Sequence, residues 1–244
     1  MMSDIIHADE DLSRGLREES GHCLVCTTSW QEAMTSHLKF DYRHVIGPSV
    51  KTKVESQDKE RVVAWAGDPR DGSLAFLIAV ANGIRRRGDV EPFVVKAFPD
   101  YDVGPEVADA VGESDEIIVG ASPLDIENAL ASAKVYAAPS LAPTSFDMAA
   151  ATAACHGAMV VAPRKYGYPE TFGRLGALLC VHSYDNAEYA MSFAATLVEA
   201  LSSDLPYEQL AVAAKSAFNP DHAKFSMNEL RGFLRAVSKT PPTD

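Results

Sequence analysis

Short apolar runs alternate with amphipathic segments through the middle of the chain. Six such runs lie between residues 61 and 181, and none alternates polar with apolar positions. Strands that are apolar throughout are covered on both faces, as in parallel sheets. The runs predict strands at 61–66, 92–98, 116–119, 135–138, 159–162 and 177–181.

The segments between these runs have the apolar spacing of helices. After Ser73, a predicted cap, apolar residues recur every three or four positions at Leu74, Leu77, Ile78, Ala81 and Ile84. Further helices are predicted at 105–111, 123–133 (capped by Ser122), 146–156, 186–201, 207–217 and 226–237. Strands in alternation with helices predict an α/β fold with a doubly wound, Rossmann-like sheet of six parallel strands.

The first sixty residues have a different pattern. They predict a polar helix at 9–19, a short strand at 22–27, a helix at 30–38 capped by Ser29, and an extended piece at 43–46. The charged segment 51–60 is typical of a linker. We therefore expect a small α/β appendage over 1–60 and a Rossmann-like domain with C-terminal helices over 61–244.

Composition and charge narrow the function classes. The 244 residues are 47% hydrophobic and 23% charged, with a formal net charge of −12. Such a charge repels phosphate backbones and anionic lipid, so nucleic-acid and membrane-surface binding are disfavoured. No apolar run approaches the ~20 residues of a membrane span. The acidic N-terminus lacks the apolar core of a signal peptide, so we expect a cytoplasmic protein.

The four cysteines do not form a metal-binding pattern. Cys23 and Cys26 are three residues apart in a predicted strand, so their side chains point to opposite faces. A second C-x-x-C or a pair of histidines that would complete a zinc set is absent from the sequence. We expect reduced, buried cysteines and neither a metal nor a cofactor.

The common phosphate-binding and catalytic sequence motifs are incomplete or absent. The segment from Gly67 to Gly72 has the glycine spacing of a phosphate loop but lacks its lysine. The chain also lacks a G-x-G-x-x-G after the first strand, a G-x-S-x-G elbow and an H-E-x-x-H. His156 and His182 are interpreted as structural histidines. Ligands of open parallel sheets bind beyond the carboxyl ends of the strands, which here means the loops 67–72, 98–104, 120–123, 139–145 and 163–170.

Several segments carry a family resemblance when taken in order. They are Val62 to Gly72, Ala138-Pro139-Ser140-Leu141, Ser145-Phe146, Thr152 to Gly157 followed by Ala-Met-Val-Val-Ala, Gly167-Tyr-Pro-Glu170, and Phe225-Ser226. Their order and spacing resemble the retaining GT-B glycosyltransferases of family four, which transfer hexoses from nucleotide diphosphate sugars. The resemblance implies that 61–244 is the nucleotide-sugar (donor) half of such an enzyme and that 1–60 is a remnant of its acceptor half.

The charged positions of the family motif depart from the pattern. The family has an arginine and a lysine that hold donor phosphates where this chain has Asp68 and Asp71, and two glutamates where it has Thr144 and Thr152. The resemblance implies a phosphate-binding helix terminus near Ser145, with positive charge supplied by Arg70, Arg164 or Lys165. The donor-binding candidates are Gly67, Arg70, Gly72, Ser140, Thr144, Ser145, Phe146, Thr152, Arg164, Lys165 and Glu170. Catalytic residues are not assigned.

Three functions stay open at this point. The first is a hexosyltransferase that uses a nucleotide sugar, its site completed by a homodimer or by a partner chain that supplies the acceptor domain. The second is a non-catalytic GT-B-like module for binding or scaffolding, which the altered charges favour. The third is a different α/β enzyme, such as a sugar-nucleotide epimerase, which requires an acid/base pair in the cleft.

Overall fold

The computed structural model describes residues 23–36, 42–45, 47–88, 90–175, 177–183, 185–204, 206–221, 228 and 231. The chain divides into two compact units: one takes in the described residues up to Ser49 and from Pro220 onward, and the other spans Val50–Asn219. The segment 50–59 therefore lies in the larger unit. The origin of 1–60 as an acceptor-domain remnant stays a prediction. The helices predicted at 9–19 and 226–237, and the Phe225-Ser226 motif, fall mostly or wholly outside the described residues.

The smaller unit contains a pair of parallel strands and a short helix. Strands β1 (Cys23–Cys26) and β2 (Tyr42–Val45) pair, and helix α1 (Ser29–Met34) lies between them in the chain. The prediction that Ser29 caps this helix is wrong. Thr28 is the cap, because its hydroxyl accepts a hydrogen bond from the Gln31 N–H at 3.1 Å and Ser29 is already helical.

The larger unit is built on six parallel strands, as the sequence predicts. They are β3 (Glu60–Gly67), β4 (Val94–Pro99), β5 (Glu116–Ile117), β6 (Ala133–Ala137), β7 (Met159–Pro163) and β8 (Leu178–Cys180), in the order β5-β4-β3-β6-β7-β8. The chain builds outward from β3 in one direction and then returns to build outward from β6 in the other. This is the doubly wound, Rossmann-like topology.

Helices cover both faces of this sheet. They are α2 (Ser73–Arg87), α3 (Pro105–Ala108), α4 (Pro123–Ser132), α5 (Met148–Cys155), α6 (Tyr168–Phe172), α7 (Asn186–Ser202) and α8 (Tyr207–Ala217). The predicted cap Ser122 is confirmed, since its hydroxyl accepts from the Asp125 N–H at 3.2 Å. Ser73 is the first residue of α2 rather than its cap, which is Gly72.

The core lies in two layers, one on each side of the sheet. Alternate residues of β3 enter opposite layers, with Val63 in one and Ala64 in the other. The first layer includes the predicted stripe of α2, every member of which is buried. The second layer includes the alanines of α5, which allow α8 to pack closely. This burial on both faces explains why the strands are apolar throughout.

A glycine sets the contact between α5 and α8 at the amino ends of the strands. Gly157, which follows α5, has a φ of +89°, and a Cβ at this position would overlap the Tyr207 carbonyl. Glycine is therefore the residue that permits this close backbone approach.

The three cysteines whose side chains are described, Cys26, Cys155 and Cys180, are buried and unpaired. Across the described ranges, each helix is too short or too polar to cross a membrane.

Candidate functional site

A cavity opens at the carboxyl ends of the strands, where the direction of winding changes between β3 and β6. Its volume is about 510 Å³. This is the position at which doubly wound sheets bind their ligands. The lining residues come mainly from the β3–α2 and β6–α5 connections: Trp65, Ala66, Gly67, Asp68, Asp71, Ser73, Asp100, Ile126, Tyr136, Ala138, Ser140, Thr144, Phe146, Asp147, Met148, Ala149 and Tyr168. We call this cavity the cleft.

The structure brings some of the predicted donor-binding residues together and leaves others apart. Gly67, Ser140, Thr144 and Phe146 line the cleft. The remaining candidates are not part of its described lining: Arg70, Gly72, Ser145, Thr152, Arg164, Lys165 and Glu170. Thr152, which stands in the place of a family glutamate, donates its hydroxyl hydrogen to the Met148 carbonyl at 2.8 Å within α5. Its hydroxyl is therefore used inside the helix.

Arg70 is paired within its own loop. Its guanidinium contacts the Asp68 carboxylate through Nε at 2.8 Å and through Nη2 at 2.5 Å, and it lies 4.0 Å from the centre of the Tyr101 ring. The side-chain hydrogen bond between the two residues lowers the pKa of Asp68 and raises the pKa of Arg70. The one cation of this loop is therefore turned toward a neighbouring carboxylate and an aromatic ring.

The N-terminus of α2 is covered by a carboxylate from the same loop. Asp71 accepts hydrogen bonds from the Ser73 N–H at 2.7 Å and from the Ser73 hydroxyl at 2.8 Å. The Ser73 oxygen in turn accepts from the Leu141 N–H at 3.1 Å, which ties this loop to the one that follows β6. Gly72 lies between Asp71 and Ser73 at a φ of +83°, a conformation that favours glycine. An acidic side chain thus lies where a helix N-terminus attracts anions.

The N-terminus of α5 is covered in the same way. The helix begins at Met148, two residues after the predicted start, and Asp147 is its cap. Its carboxylate accepts from the Ala150 N–H at 2.8 Å, and the hydroxyls of Tyr168 and Tyr136 donate to it at 3.0 Å and 3.5 Å. Burial raises the pKa of Asp147, while these hydrogen bonds oppose the rise. The helix start predicted near Ser145 is therefore wrong, while anion binding at this terminus stays a prediction.

The loop between β6 and α5 is held by backbone contacts. Ser140 has a φ of +47°, and its hydroxyl donates to the Ala142 carbonyl at 3.0 Å and lies 2.9 Å from the Thr144 hydroxyl. The Gly167 N–H donates to the Thr144 carbonyl at 3.0 Å, and a Cβ at Gly167 would overlap the Ser145 carbonyl. Strained backbone of this kind is found at binding sites, where the surroundings keep it in place.

The predicted basic and acidic residues after β7 lie outside this lining. Arg164 is exposed, and the Lys165 ammonium lies 4.7 Å from the centre of the Tyr166 ring. Glu170 is exposed in the first turn of α6. Among the described lining residues of the cleft, four are aspartates and none is a lysine, arginine or histidine. The cleft is therefore acidic.

Sequence reasoning missed four of the residues that shape this cleft. Asp147, Tyr136 and Tyr168 form one hydrogen-bonded cluster, and Asp100 lies at the end of β4. Asp147 carries a visible signal, because an aspartate directly before an alanine-rich helix is a standard N-cap. The tyrosines carry none, since a tyrosine in an apolar strand or loop is as common in the core as in a site.

Comparisons with known proteins establish the fold. No family model matches the chain. No curated protein matches it either. Among solved structures, sucrose-phosphate synthase from Thermosynechococcus elongatus superposes on 88% of this chain with a TM-score of 0.68 and 17% identity, over 59% of its own length. A mutant of S. aureus TarM, solved with UDP, fondaparinux and α-GlcNAc-glycerol, superposes on 93% of this chain with a TM-score of 0.70 and 11% identity, over 46% of its length.

A glycosyltransferase from Rickettsia africae gives the same result, with 14% identity over 90% of this chain and 64% of its own, at a TM-score of 0.65. The chain thus spans about half to three-fifths of the length of these proteins. At such identities the likeness concerns the fold. Together with the six-stranded parallel sheet and its flanking helices, it shows that this chain has a GT-B glycosyltransferase fold.

Proposed function

We propose that the larger unit is a binding module with a GT-B fold, whose cleft takes an uncharged, hydroxyl-bearing ligand such as a sugar and does not hold a nucleotide diphosphate. The observation that carries this proposal is that Asp71 and Asp147 cover the two helix N-termini at the cleft. At each terminus, one backbone N–H that a diphosphate could use is bonded instead to a carboxylate of the protein, and that carboxylate brings a negative charge to the terminus.

Electrostatic repulsion also disfavours a diphosphate in the cleft. Two like charges about 4 Å apart repel by roughly 4 kcal/mol at an effective dielectric constant of 20. A diphosphate beside Asp71 meets this repulsion, while Arg70 is already bonded to Asp68. A neutral sugar does not, and its hydroxyls can donate to carboxylate oxygens. The cleft volume of about 510 Å³ is within the range of small-molecule sites.

Calorimetry with two sets of ligands tests this proposal. We expect glucose or N-acetylglucosamine to bind the unmodified protein, and UDP and UDP-glucose to show no binding at millimolar concentration. The double variant Asp71→Asn, Asp147→Asn keeps cap-forming side chains but removes both charges, and it is expected to gain affinity for UDP. The matched control is Asp102→Asn, Asp109→Asn, which removes two exposed aspartates outside the cleft. Tight binding of UDP-glucose to the unmodified protein would overturn the proposal.

A second candidate is transfer of a hexose from a nucleotide diphosphate sugar with retention of configuration. It is favoured by the likeness to glycosyltransferases, including a TarM structure that contains UDP. This function needs an acceptor domain, which we propose comes from a homodimer or a partner chain. Its donor site would use Arg70, Arg164 or Lys165 after rearrangement of the Asp68 pair. The unpaired buried cysteines support the cytoplasmic location that we expect for either function.

A charge-restoring variant separates the two candidates. Asp68→Arg, Asp71→Lys, Thr144→Glu and Thr152→Glu together return the family's charges to their places. If the chain is a binding module, release of UDP from a nucleotide sugar is seen, if at all, with the restored variant alone. Turnover by the unmodified protein at the same rate would establish the transferase and contradict the binding module.

A further inference from the structure

A second cavity lies at the opposite edge of the sheet, at the amino ends of the strands. Its volume is about 520 Å³, and both of its walls belong to the larger unit. One wall is the segment 56–59, which leads into β3, and the other is a face of α8 that carries Glu208, Ala211, Val212 and Lys215. His156, at the end of α5, also lines it. We call this the amino-edge cavity.

His156, which lines this cavity, has unused hydrogen-bonding capacity. The residue is 1% exposed, and its Nε2 lies 3.3 Å from Oε1 of Glu127. Its Nδ1 is buried and has no hydrogen-bond partner within the described part of the chain. Buried polar atoms without partners are rare, because leaving one unpaired costs about 1–3 kcal/mol. The ring therefore suits a ligand that bonds to Nδ1.

Glu127 holds the histidine ring in place. The same Oε1 accepts from the backbone N–H groups of Lys53 and Val54, at 2.5 Å and 3.0 Å. These bonds lower the pKa of the Glu127 carboxyl against the opposing effect of its partial burial. An ionised carboxylate on Nε2 leaves Nδ1 as the position for a further partner, and it favours the charged form of the ring when an anion approaches.

Two lysines add positive charge beside this histidine. Lys59 donates from Nζ to the Ala131 carbonyl at 2.8 Å, which uses one of its three N–H groups, and burial lowers its pKa to about 8. Lys215 lies on the cavity face of α8 and is exposed. Burial lowers the pKa of His156, the hydrogen bond and charge of Glu127 oppose this, and the charges of the two lysines lower it further. All three basic groups line the same cavity. Asp58 and Glu208, both exposed, are the acidic lining residues.

The structure assigns the amino-edge cavity as a binding site for a phosphoryl group of a small ligand, with Lys59 and Lys215 contacting its oxygens and His156 donating from Nδ1. A phosphate dianion matches two ammonium groups in charge and offers three or more acceptor oxygens to separate donors. A carboxylate has two oxygens and a single charge. One of the three groups Lys59, Lys215 and His156 would then lack a partner. This site is separate from the cleft and does not depend on the function proposed for it.

Titration with inorganic phosphate, followed by calorimetry and by imidazole ¹⁵N spectra, tests this assignment. We expect saturable binding at millimolar concentration or below, with His156 shifting toward its protonated form. The double variant Lys59→Gln, Lys215→Gln is expected to bind phosphate at least about tenfold more weakly. Its control is Arg86→Gln, Arg174→Gln, which removes two exposed cations outside the cavity and is expected to leave the affinity unchanged.

Several outcomes would overturn the assignment. These are an absence of saturation, an equal loss in the two double variants, or tighter binding of acetate than of phosphate. If Lys59→Gln impairs folding, because its Nζ supports the Ala131 carbonyl, Lys215→Gln alone is compared with Arg86→Gln. The exposed side chain of Lys215 makes that substitution structurally mild.

Discussion

The carboxyl edge and the amino edge of the sheet differ in how their charged side chains are paired. At the carboxyl edge the side chains satisfy one another: Arg70 bonds to Asp68, Asp71 to Ser73, and Asp147 to Tyr168. At the amino edge, half-buried Lys59 lines one cavity with His156, whose Nδ1 has no partner in the described chain. The helix caps at the edge where this fold places its ligands are thus bonded to side chains of the protein, whereas the opposite edge has a histidine nitrogen without a described partner.

This difference teaches that fold and chemistry separate within one domain. The sheet order and the position of the cleft belong to the fold, which the chain shares with solved structures of 11–17% identity. The charges around the cleft are set by a few loop residues, and these can change without cost to the core. A chain can therefore keep the architecture while its cleft carries different charges.

The largest loss of stability is expected from replacing a glycine with alanine at either edge of the sheet. Gly167→Ala places a Cβ against the Ser145 carbonyl, and Gly157→Ala places one against the Tyr207 carbonyl. Each is expected to cost about 3 kcal/mol or more, because backbone cannot move aside cheaply. Denaturant unfolding measures the loss. Gly88→Ala is the control, since it also has a positive φ of +70° but open space around it, and about 1 kcal/mol is expected there.

The next effect concerns the cap of α5 at the carboxyl edge. Asp147→Ala removes the acceptor of the Ala150 N–H and of the Tyr168 hydroxyl, so a loss of about 2–3 kcal/mol is expected. Asp147→Asn retains an acceptor for the cap and is expected to cost less. Asp102→Ala, at an exposed position, serves as the reference near zero. If all three variants unfold at the same denaturant concentration, the role of Asp147 in capping α5 is contradicted.

A smaller effect is expected for the cap of α2. Asp71→Ala removes the acceptor of the Ser73 N–H and hydroxyl, and a typical cap contributes about 1 kcal/mol. The same substitution exposes the helix terminus to ligands, so UDP affinity in calorimetry is expected to rise while stability falls. A drop in stability without any change in UDP binding would show that Asp71 does not control access for anions.

A separate effect is a pH dependence at the amino edge. The pKa of Lys59 is about 8 in the folded chain against 10.5 in the unfolded chain, so between these values the unfolded state binds more protons. Stability from this group therefore increases as pH rises from 8 to 10.5. We expect the free energy of unfolding of the unmodified protein to rise in this window relative to Lys59→Gln. Parallel curves for the two proteins would show that Lys59 titrates normally.

Sequence patterns predicted the sheet and most helices because burial on both faces leaves a direct trace in apolar runs. Helix α8 was placed at Tyr207–Ala217, the bounds that the structure has. Caps were less predictable: Thr28 rather than Ser29 caps α1, because adjacent hydroxyl residues are equally suited and geometry selects between them. For α5, the predicted start was two residues too early. Asp147 was therefore placed inside the helix, and its role as the cap was missed.

The sites were less predictable than the fold. Lys59, His156 and Lys215 are far apart in sequence, and the packing of α8 against the end of α5 brings them to one cavity. Arg70 was predicted as a phosphate ligand from its position in the loop. In the structure its guanidinium is bonded to the carboxylate of Asp68, two residues away. Pairing of this kind depends on side-chain geometry, which spacing alone does not determine.

Helix α5 connects the two edges. Its first end is capped by Asp147 at the cleft and its last end by His156 at the amino-edge cavity, and eight residues of helix span about 12 Å. The helix thus places one polar group of the described chain at each cavity. If ligands in the two cavities are coupled through this helix, each changes the affinity of the other by the same factor. Phosphate titration in the presence and absence of a cleft ligand measures that factor.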